Sequence, residues 1–107
     1  MVEIKAIIRN TILKIFLENN LNIKSIILFG SRARGDFKNN SDWDLLIIVD
    51  NWLSIKEKRE LSKKIRTVLA NLNIPSDVII KSEIEINYFA DFIGSITREA
   101  LKEGIEL

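Results

Sequence analysis

Apolar side chains recur at three- and four-residue spacing in three stretches, and each stretch predicts a helix. Residues 2–19 form the first, with lysine, arginine and glutamate between the apolar positions. This spacing is typical of an amphipathic helix that packs one face against a sheet. The second stretch follows Ser54, where a Ser-x-x-Glu capping box opens it, and ends near Asn71. The third begins near Ser82, and a Gly-Ser step at 94–95 is expected to interrupt it.

Three short apolar runs between these helices predict strands. Residues 23–29 are β-branched and end at a glycine, and residues 77–81 follow a proline. Residues 44–49 carry an unbroken apolar run, which indicates a central strand covered on both faces. Gly104 suits the position after a helix C-terminus, and a few extended residues can follow it. The predicted order is α-β-β-α-β-α, a small mixed β-sheet packed with helices in an α+β (α/β-like) fold.

Composition places the chain among globular proteins. Its 107 residues are 47% hydrophobic and 29% charged, with a net charge of +1. We therefore expect one domain over residues 1–107, with no charge balance that favours nucleic acid. No apolar run approaches the roughly 18 residues of a membrane span, and no signal peptide is recognisable. A cytoplasmic protein without membrane contact is the expectation.

The chain contains neither cysteine nor histidine. This excludes disulfides, thiolate or imidazole metal sites and histidine-based triads. Acid–base or metal chemistry must then rest on carboxylates, lysine, tyrosine or hydroxyl groups. Carboxylates favour hard cations such as Mg²⁺.

The stretch 28–50 contains the strongest chemical signal. The first strand leads into Gly30-Ser31, a turn that lets the backbone approach a phosphate closely. Asp42 and Asp44 open the next strand, where alternate residues share a face, and Asp77 opens the third. If the strands are neighbours, three carboxylates meet at one sheet edge and suit divalent cations.

Each feature also has an ordinary structural interpretation. A Gly-Ser pair is a common turn, Asp42 and Asp77 can be turn residues, and Arg32 and Arg34 can be solvated surface charges. The occurrence of all these features in this order along the chain favours a functional site. The two arginines and Lys38 could neutralise a triphosphate, which suggests binding of a nucleotide with Mg²⁺ and attack at the α-phosphate.

The segment GSRARGDFKNNSDWDLLIIVD resembles the minimal nucleotidyltransferases, small members of the DNA-polymerase-β-like nucleotidyltransferase superfamily. Gly-Ser, ten residues and Asp-x-Asp match the family spacing without an insertion, and Asp77 stands where a third carboxylate is expected. The resemblance implies the nucleotidyltransferase fold over nearly the whole chain. It also implies transfer of a nucleotidyl group from ATP with two Mg²⁺ ions.

The resemblance also assigns roles to individual residues. It implies that Asp42, Asp44 and Asp77 are catalytic metal ligands. It implies that Gly30 and Ser31 contact the nucleotide phosphates. The site residues further include two arginines, of which Arg34, within the Ala-Arg-Gly segment, is a better phosphate contact than Arg32.

Partners follow from the resemblance alone. Members of this family often act as antitoxins that transfer AMP from ATP to a tyrosine of a helical HEPN toxin. Relatives that modify small molecules or tRNA carry large helical acceptor domains that are not recognisable here, so a protein partner is expected to complete the acceptor site. Two alternatives stay open: an inactive antitoxin that neutralises its toxin by binding alone, and a small-molecule adenylyltransferase. Self-association is also open.

The aromatic residues are expected to be mainly structural. Trp43 alternates with Asp42 and Asp44 on the strand and is expected in the core. Tyr88, Phe89 and Phe92 are expected to pack beneath the last helix, with a partner-binding patch as the alternative.

Overall fold

A computed structural model describes residues 3–89 and 96–107 of the chain. Its elements, in chain order, are α1 (Ile4–Glu18), β1 (Ile23–Phe29), α2 (Ser31–Arg34), β2 (Trp43–Val49), α3 (Ile55–Asn71), β3 (Ser76–Ser82), α4 (Glu83–Phe89), α5 (Ile96–Glu103) and β4 (Ile105–Glu106). The predicted helices and strands are present in the predicted order. A single helical turn, α2, begins at Ser31, where the sequence also favours a turn of helix. The predicted interruption at 94–95, like Phe92, lies outside the described residues.

The strands form one mixed sheet in the order β3-β2-β1-β4. Strands β1 and β2 are antiparallel, and β2 and β3 are parallel, with α3 as the crossover between them. The residues after Gly104 form β4, which pairs with β1. The mixed sheet predicted from the sequence is therefore confirmed.

The unbroken apolar run of β2 is explained by its central position. Leu45, Ile47 and Val49 belong to the larger core, which is shared with α1 and α3. Leu46 and Ile48 face the opposite side and pack in a second cluster with Ala100 of α5. All five side chains are buried. Because successive strand residues point to opposite faces, both faces need cover, as the sequence predicted.

The position of α3 is fixed at its first turn. The Ser54 side chain accepts from the Glu57 N–H at 3.1 Å, and the Glu57 carboxylate accepts from the Ser54 N–H at 3.1 Å. This is the capping box expected from the sequence. One turn later, Lys58 donates to the Glu85 carboxylate of α4 at 2.6 Å. The pair formed by Lys58 and Glu85 joins α3 to α4, which pack on opposite faces of the sheet.

Gly104 follows the last residue of α5, as predicted, but for a different reason. Its φ lies outside the left-handed region that glycine favours after a helix. A Cβ at this position would instead lie 2.2 Å from Ile27 Cγ2 and 2.3 Å from the Ala100 carbonyl oxygen. The missing side chain therefore lets the end of α5 lie directly against β1.

The aromatic predictions had different outcomes. Trp43 is 8% exposed and belongs to the larger core, as expected. Tyr88 was expected in the core and is 64% exposed, so that prediction is wrong. α4 packs Ile86 against the second cluster, and Tyr88, two residues further on, lies on the opposite side of the helix. Within the ranges that the structure describes, no helix has the length and apolar character needed to cross a bilayer.

We predict that Glu85→Gln lowers the free energy of unfolding at pH 7 by about 1 kcal/mol, because it removes a half-buried charged pair. Burial alone would raise the pKa of Glu85, but hydrogen bonds from Lys58 and Ser82 outweigh it and lower the pKa. The stability that ionised Glu85 contributes is therefore present above pH 4.5 and is lost as the pH falls through the lowered pKa. Urea denaturation across this pH range measures it.

Glu60→Gln is the matched control. Glu60 pairs with Lys56 at 4.0 Å, and both side chains are largely exposed. Such a pair contributes little, so the control should unfold like the parent chain. Equal effects of the two substitutions would contradict the role given to Glu85.

Candidate active site

Three strand ends meet at one end of the sheet. Phe29, the last residue of β1, pairs with Asp44 near the start of β2. Asp44 also pairs with Asp77 near the start of the parallel strand β3. Register partners in adjacent strands point to the same face, so the Asp44 and Asp77 side chains are neighbours. Gly30 follows Phe29 directly and lies at the same end.

Gly30 and Asp44 are in direct contact. Gly30 has a φ of +73°, a left-handed backbone that other residues adopt with difficulty. A Cβ on Gly30 would lie 2.1 Å from Asp44 Oδ2, closer than any atoms can pack. Both the backbone conformation and the space beside Asp44 therefore require glycine here. The turn predicted to approach a phosphate closely also makes room for the carboxylate.

The Asp44 carboxylate is in an unfavourable electrostatic environment. Partial burial raises its pKa above the usual value, and the charges of Asp77 and Asp42 raise it further. Arg34 opposes this shift. Because Asp42 and Asp77 are exposed, water screens part of the repulsion. The three predicted carboxylates are thus close enough to affect one another.

The helical turn α2 orients the residues after Gly30. The Gly30 carbonyl accepts from the N–H groups of Ala33 and Arg34, both at 3.0 Å. Gly35 ends the turn in a left-handed conformation, with a φ of +91°. The turn directs Ser31 and Arg34 into a cleft of about 460 Å³.

Arg32 points away from that cleft. Its guanidinium donates to the Ser41 carbonyl at 3.1 Å and to the Asn39 carbonyl at 3.3 Å. It also lies over the rings of Phe37 and Trp43, at 4.3 Å and 4.7 Å from their centroids. Arg32 therefore fixes the loop that leads to Asp42, a role that the sequence did not reveal. Its predicted contact with a phosphate stays a prediction.

Two residues of α5, Glu99 and Glu103, also line the cleft. Glu103 accepts from the Gly30 N–H at 3.2 Å and from Arg34 Nη1 at 3.2 Å. Neither residue was predicted from the sequence. The only signal was their i, i+4 spacing on a helix, which cannot tell which element the helix packs against.

The carboxylates suit Mg²⁺ by donor chemistry but do not form a complete cage. Among residues 3–89 and 96–107, no group of three or more acidic side chains is gathered closely enough to hold a metal ion by itself. Mg²⁺ in nucleotide enzymes is commonly held by one or two carboxylates, with phosphate oxygens and water completing its shell. The mutual repulsion around Asp44 fits such a cation, which would relieve it.

Residues 10–107 match the family described as "Polymerase beta, Nucleotidyltransferase". The chain belongs to this nucleotidyltransferase family. The match covers the Gly-Ser turn, strands β1 to β3, the carboxylates of Asp42, Asp44 and Asp77, and the C-terminal segment. The family and the enzyme class expected from the sequence are thereby confirmed.

Curated relatives of this nucleotidyltransferase occur in Methanocaldococcus jannaschii. The chain is 36% identical over 88 residues to "Putative protein adenylyltransferase MJ1379", covering 80% of the chain and 83% of the relative. It is 37% identical over 82 residues to "Putative protein adenylyltransferase MJ1215", covering 77% of the chain and 90% of the relative. A third protein of the same description, MJ0141, is 38% identical over 55 residues, which span 52% of its length.

Solved structures share the fold. One, described as a toxin–antitoxin with AMP-PNP, superimposes with a TM-score of 0.58 at 24% identity, covering 91% of this chain and 69% of that one. Another contains a tri-AMPylated Shewanella oneidensis HEPN toxin in complex with an MNT antitoxin, with a TM-score of 0.56 at 20% identity. That match covers 96% of this chain and 71% of that one. These similarities confirm the nucleotidyltransferase fold.

The predicted site residues thus divide into three groups. Gly30, Ser31, Arg34 and Asp44 line one cleft. Asp42 and Asp77 adjoin Asp44 from the loop and from β3. Arg32 supports the loop.

We predict that Asp44→Asn raises the thermal unfolding midpoint at pH 7 in metal-free buffer. Because folding raises the pKa of Asp44, the ionised carboxylate costs stability above that raised pKa. The cost disappears as the pH falls below the usual pKa of 3.8, where Asp44 is protonated in both the folded and the unfolded state. The gain should therefore vanish in acid. Asp50→Asn, at the exposed far end of β2, is the control and should show no such gain.

We predict that Arg32→Lys lowers the free energy of unfolding by about 1–2 kcal/mol, since lysine cannot reproduce the paired hydrogen bonds and ring stacking. Arg34→Lys serves as the comparison, because its exposed ion pairs contribute little to stability. Chemical denaturation of both variants measures the difference. A larger loss for Arg34→Lys would contradict these assignments.

Proposed function

We propose that this chain transfers AMP from ATP to a hydroxyl group, with dependence on Mg²⁺, and that the acceptor belongs to a partner protein. The observation that carries the proposal is the contact of Asp44 with Gly30, beside Asp77, at the mouth of a cleft. Other hollows of similar volume lie along α3. None of those combines a glycine turn with neighbouring carboxylates.

In this proposal the triphosphate lies in the cleft beside the turn after β1. The Gly30 backbone and the Ser31 hydroxyl face the phosphates, and Arg34 supplies positive charge. Arginine binds phosphate oxygens through two parallel N–H groups, which orients the chain of phosphates as well as attracting it. Arg32 acts indirectly by holding the loop that carries Asp42.

Asp42 and Asp44 would hold Mg²⁺ together with the phosphates, and Asp77 would complete the coordination of a second ion. Two such ions stabilise the attacking and leaving oxygens of a phosphoryl displacement. The proximity of these carboxylates and their oxygen donors support this assignment. Each carboxylate has to be ionised to serve. A bound cation would favour the ionised form of Asp44 against the burial and repulsion that raise its pKa.

The reaction forms one bond and breaks one. The acceptor oxygen bonds to the α-phosphorus of ATP, and the bond from that phosphorus to the bridging oxygen breaks, which releases pyrophosphate. The acceptor proton passes to a base, for which Asp77 is the candidate because it is exposed beside Asp44. AMP remains on the acceptor.

The choice of a protein acceptor rests on the relatives. Two of them, with most of their length aligned, are described as putative protein adenylyltransferases. One structure of the same fold holds an AMPylated HEPN toxin with an MNT antitoxin. We infer that this chain acts as the antitoxin of such a pair and that a tyrosine of a HEPN toxin is its acceptor.

The test combines purified chain, α-labelled ATP, Mg²⁺ and the protein that co-purifies with the chain. Intact mass measurement should show the partner gain one or more AMP units. Asp44→Asn and Asp77→Asn should each lower the rate at least about a hundredfold, because several kcal/mol of charge stabilisation are lost. Asp50→Asn is the matched control and should retain the parent rate.

Two results would contradict parts of the proposal. Neutralisation of a toxin that survives Asp44→Asn, with no mass gain on the partner, would establish binding alone as the activity. A labelled small product formed without any protein partner would establish a small-molecule adenylyltransferase.

A further inference from the structure

The groups assigned to the nucleotide phosphates already bind an anion from the chain itself. The Gly30 N–H donates to Glu103 Oε1 at 3.2 Å. Arg34 Nη1 donates to both oxygens of the same carboxylate, at 3.2 Å and 3.4 Å. A backbone N–H and a guanidinium that share one carboxylate are the donors that would otherwise meet phosphate oxygens.

Glu103 is held in this position by the backbone around it. It is the last residue of α5, and the bare Gly104 that follows lies against Ile27 of β1. The next residue, Ile105, pairs with Leu28 in β4, and the Leu107 N–H donates to the Ile26 carbonyl at 2.8 Å. The backbone contacts fix the position of Glu103, and the Gly30 N–H and Arg34 hold its carboxylate. The side chain is 27% exposed.

The charge balance of the cleft opposes a second anion. Its lining includes three acidic residues, Asp44, Glu99 and Glu103, and one basic residue, Arg34. A triphosphate that entered the cleft with Glu103 in place would find its cation already paired. A phosphate that accepts from the Gly30 N–H and Arg34 Nη1 therefore has to displace the Glu103 carboxylate from both donors.

Resting on the proposed function, we propose that Glu103 is an intramolecular competitor for the phosphate site, which a nucleoside triphosphate displaces when it binds. The competition lowers the apparent affinity, because only the fraction of molecules with the donors released can bind. Glu103 thereby determines how much nucleotide is needed to fill the site. It is a positioning and specificity residue that favours ligands with enough negative charge to replace it.

The experiment is titration calorimetry of the full chain with AMP-PNP and Mg²⁺. Glu103→Gln keeps the length of the side chain and one oxygen for the Gly30 N–H, but removes the charge that pairs with Arg34 Nη1. The exposed contact of Arg34 Nε with Asp36 is unchanged. We expect the dissociation constant to fall about threefold to fivefold, the effect of a partly exposed charged pair removed from the free state. Glu106→Gln, the same change at an exposed position of β4, is the control and should leave the constant unchanged.

A second variant and a second readout guard against misfolding. Glu103→Asp keeps the charge but shortens the side chain, so it cannot reach both donors and should also tighten binding, by a smaller factor. AMP lacks the β- and γ-phosphates and should show less gain than AMP-PNP in Glu103→Gln, since a ligand that does not use the Gly30 and Arg34 donors gains nothing from their release. Thermal unfolding identifies any variant that has lost its fold.

The outcomes separate this inference from the proposed function. Unchanged or weaker AMP-PNP binding in folded Glu103→Gln, with normal binding by the parent chain, overturns the competitor role and leaves Glu103 as a structural support. Absence of nucleotide binding by the folded parent chain and by every variant overturns the proposed function and the inference with it.

Discussion

The pairing of Asp44 with both of its neighbouring strands is the constraint on which the rest of the site depends. Antiparallel pairing with Phe29 brings the Gly-Ser turn to Asp44, and parallel pairing with Asp77 adds a second carboxylate. A shift of one residue in either ladder would turn Asp44 to the opposite face. The apolar residues after Asp44 prevent this shift, because they fill two different cores on the two faces of the sheet. Hydrophobic packing thus determines where the charges lie.

Packing also explains why an unfavourable arrangement of charges persists. The ionised carboxylates repel one another near Asp44, and the neighbouring Glu103 adds to the repulsion. The buried apolar side chains of β2 supply the stabilisation that tolerates this cost. Strained or repulsive groups that survive folding are typical of sites whose ligand relieves the strain.

The sequence revealed the parts of the fold that depend on local patterns. The capping box at Ser54, the central strand after Asp44 and the glycine turn at Gly30 each leave a signal in a few adjacent residues. The positions of Arg32 and Glu103 could not be predicted in this way. Arg32 points toward Trp43 because of the path of the loop, and Glu103 reaches Gly30 because α5 docks on β1. Both depend on tertiary contacts between residues whose spacing in the chain carries no periodicity.

The crossover through α3 has a consequence for the order of folding. Strands β1 and β2 are joined by residues 30–42, whereas β3 can pair with β2 only after the longer connection through α3, residues 50–75, has closed. Pairings between residues far apart in sequence form slowly, because loop entropy is lost before contacts are gained. We therefore expect Asp77 to approach Asp44 after β1 and β2 have paired, so that their repulsion is absent from the early stages. On the same ground we expect a divalent cation that neutralises the pair to slow unfolding more than it speeds folding.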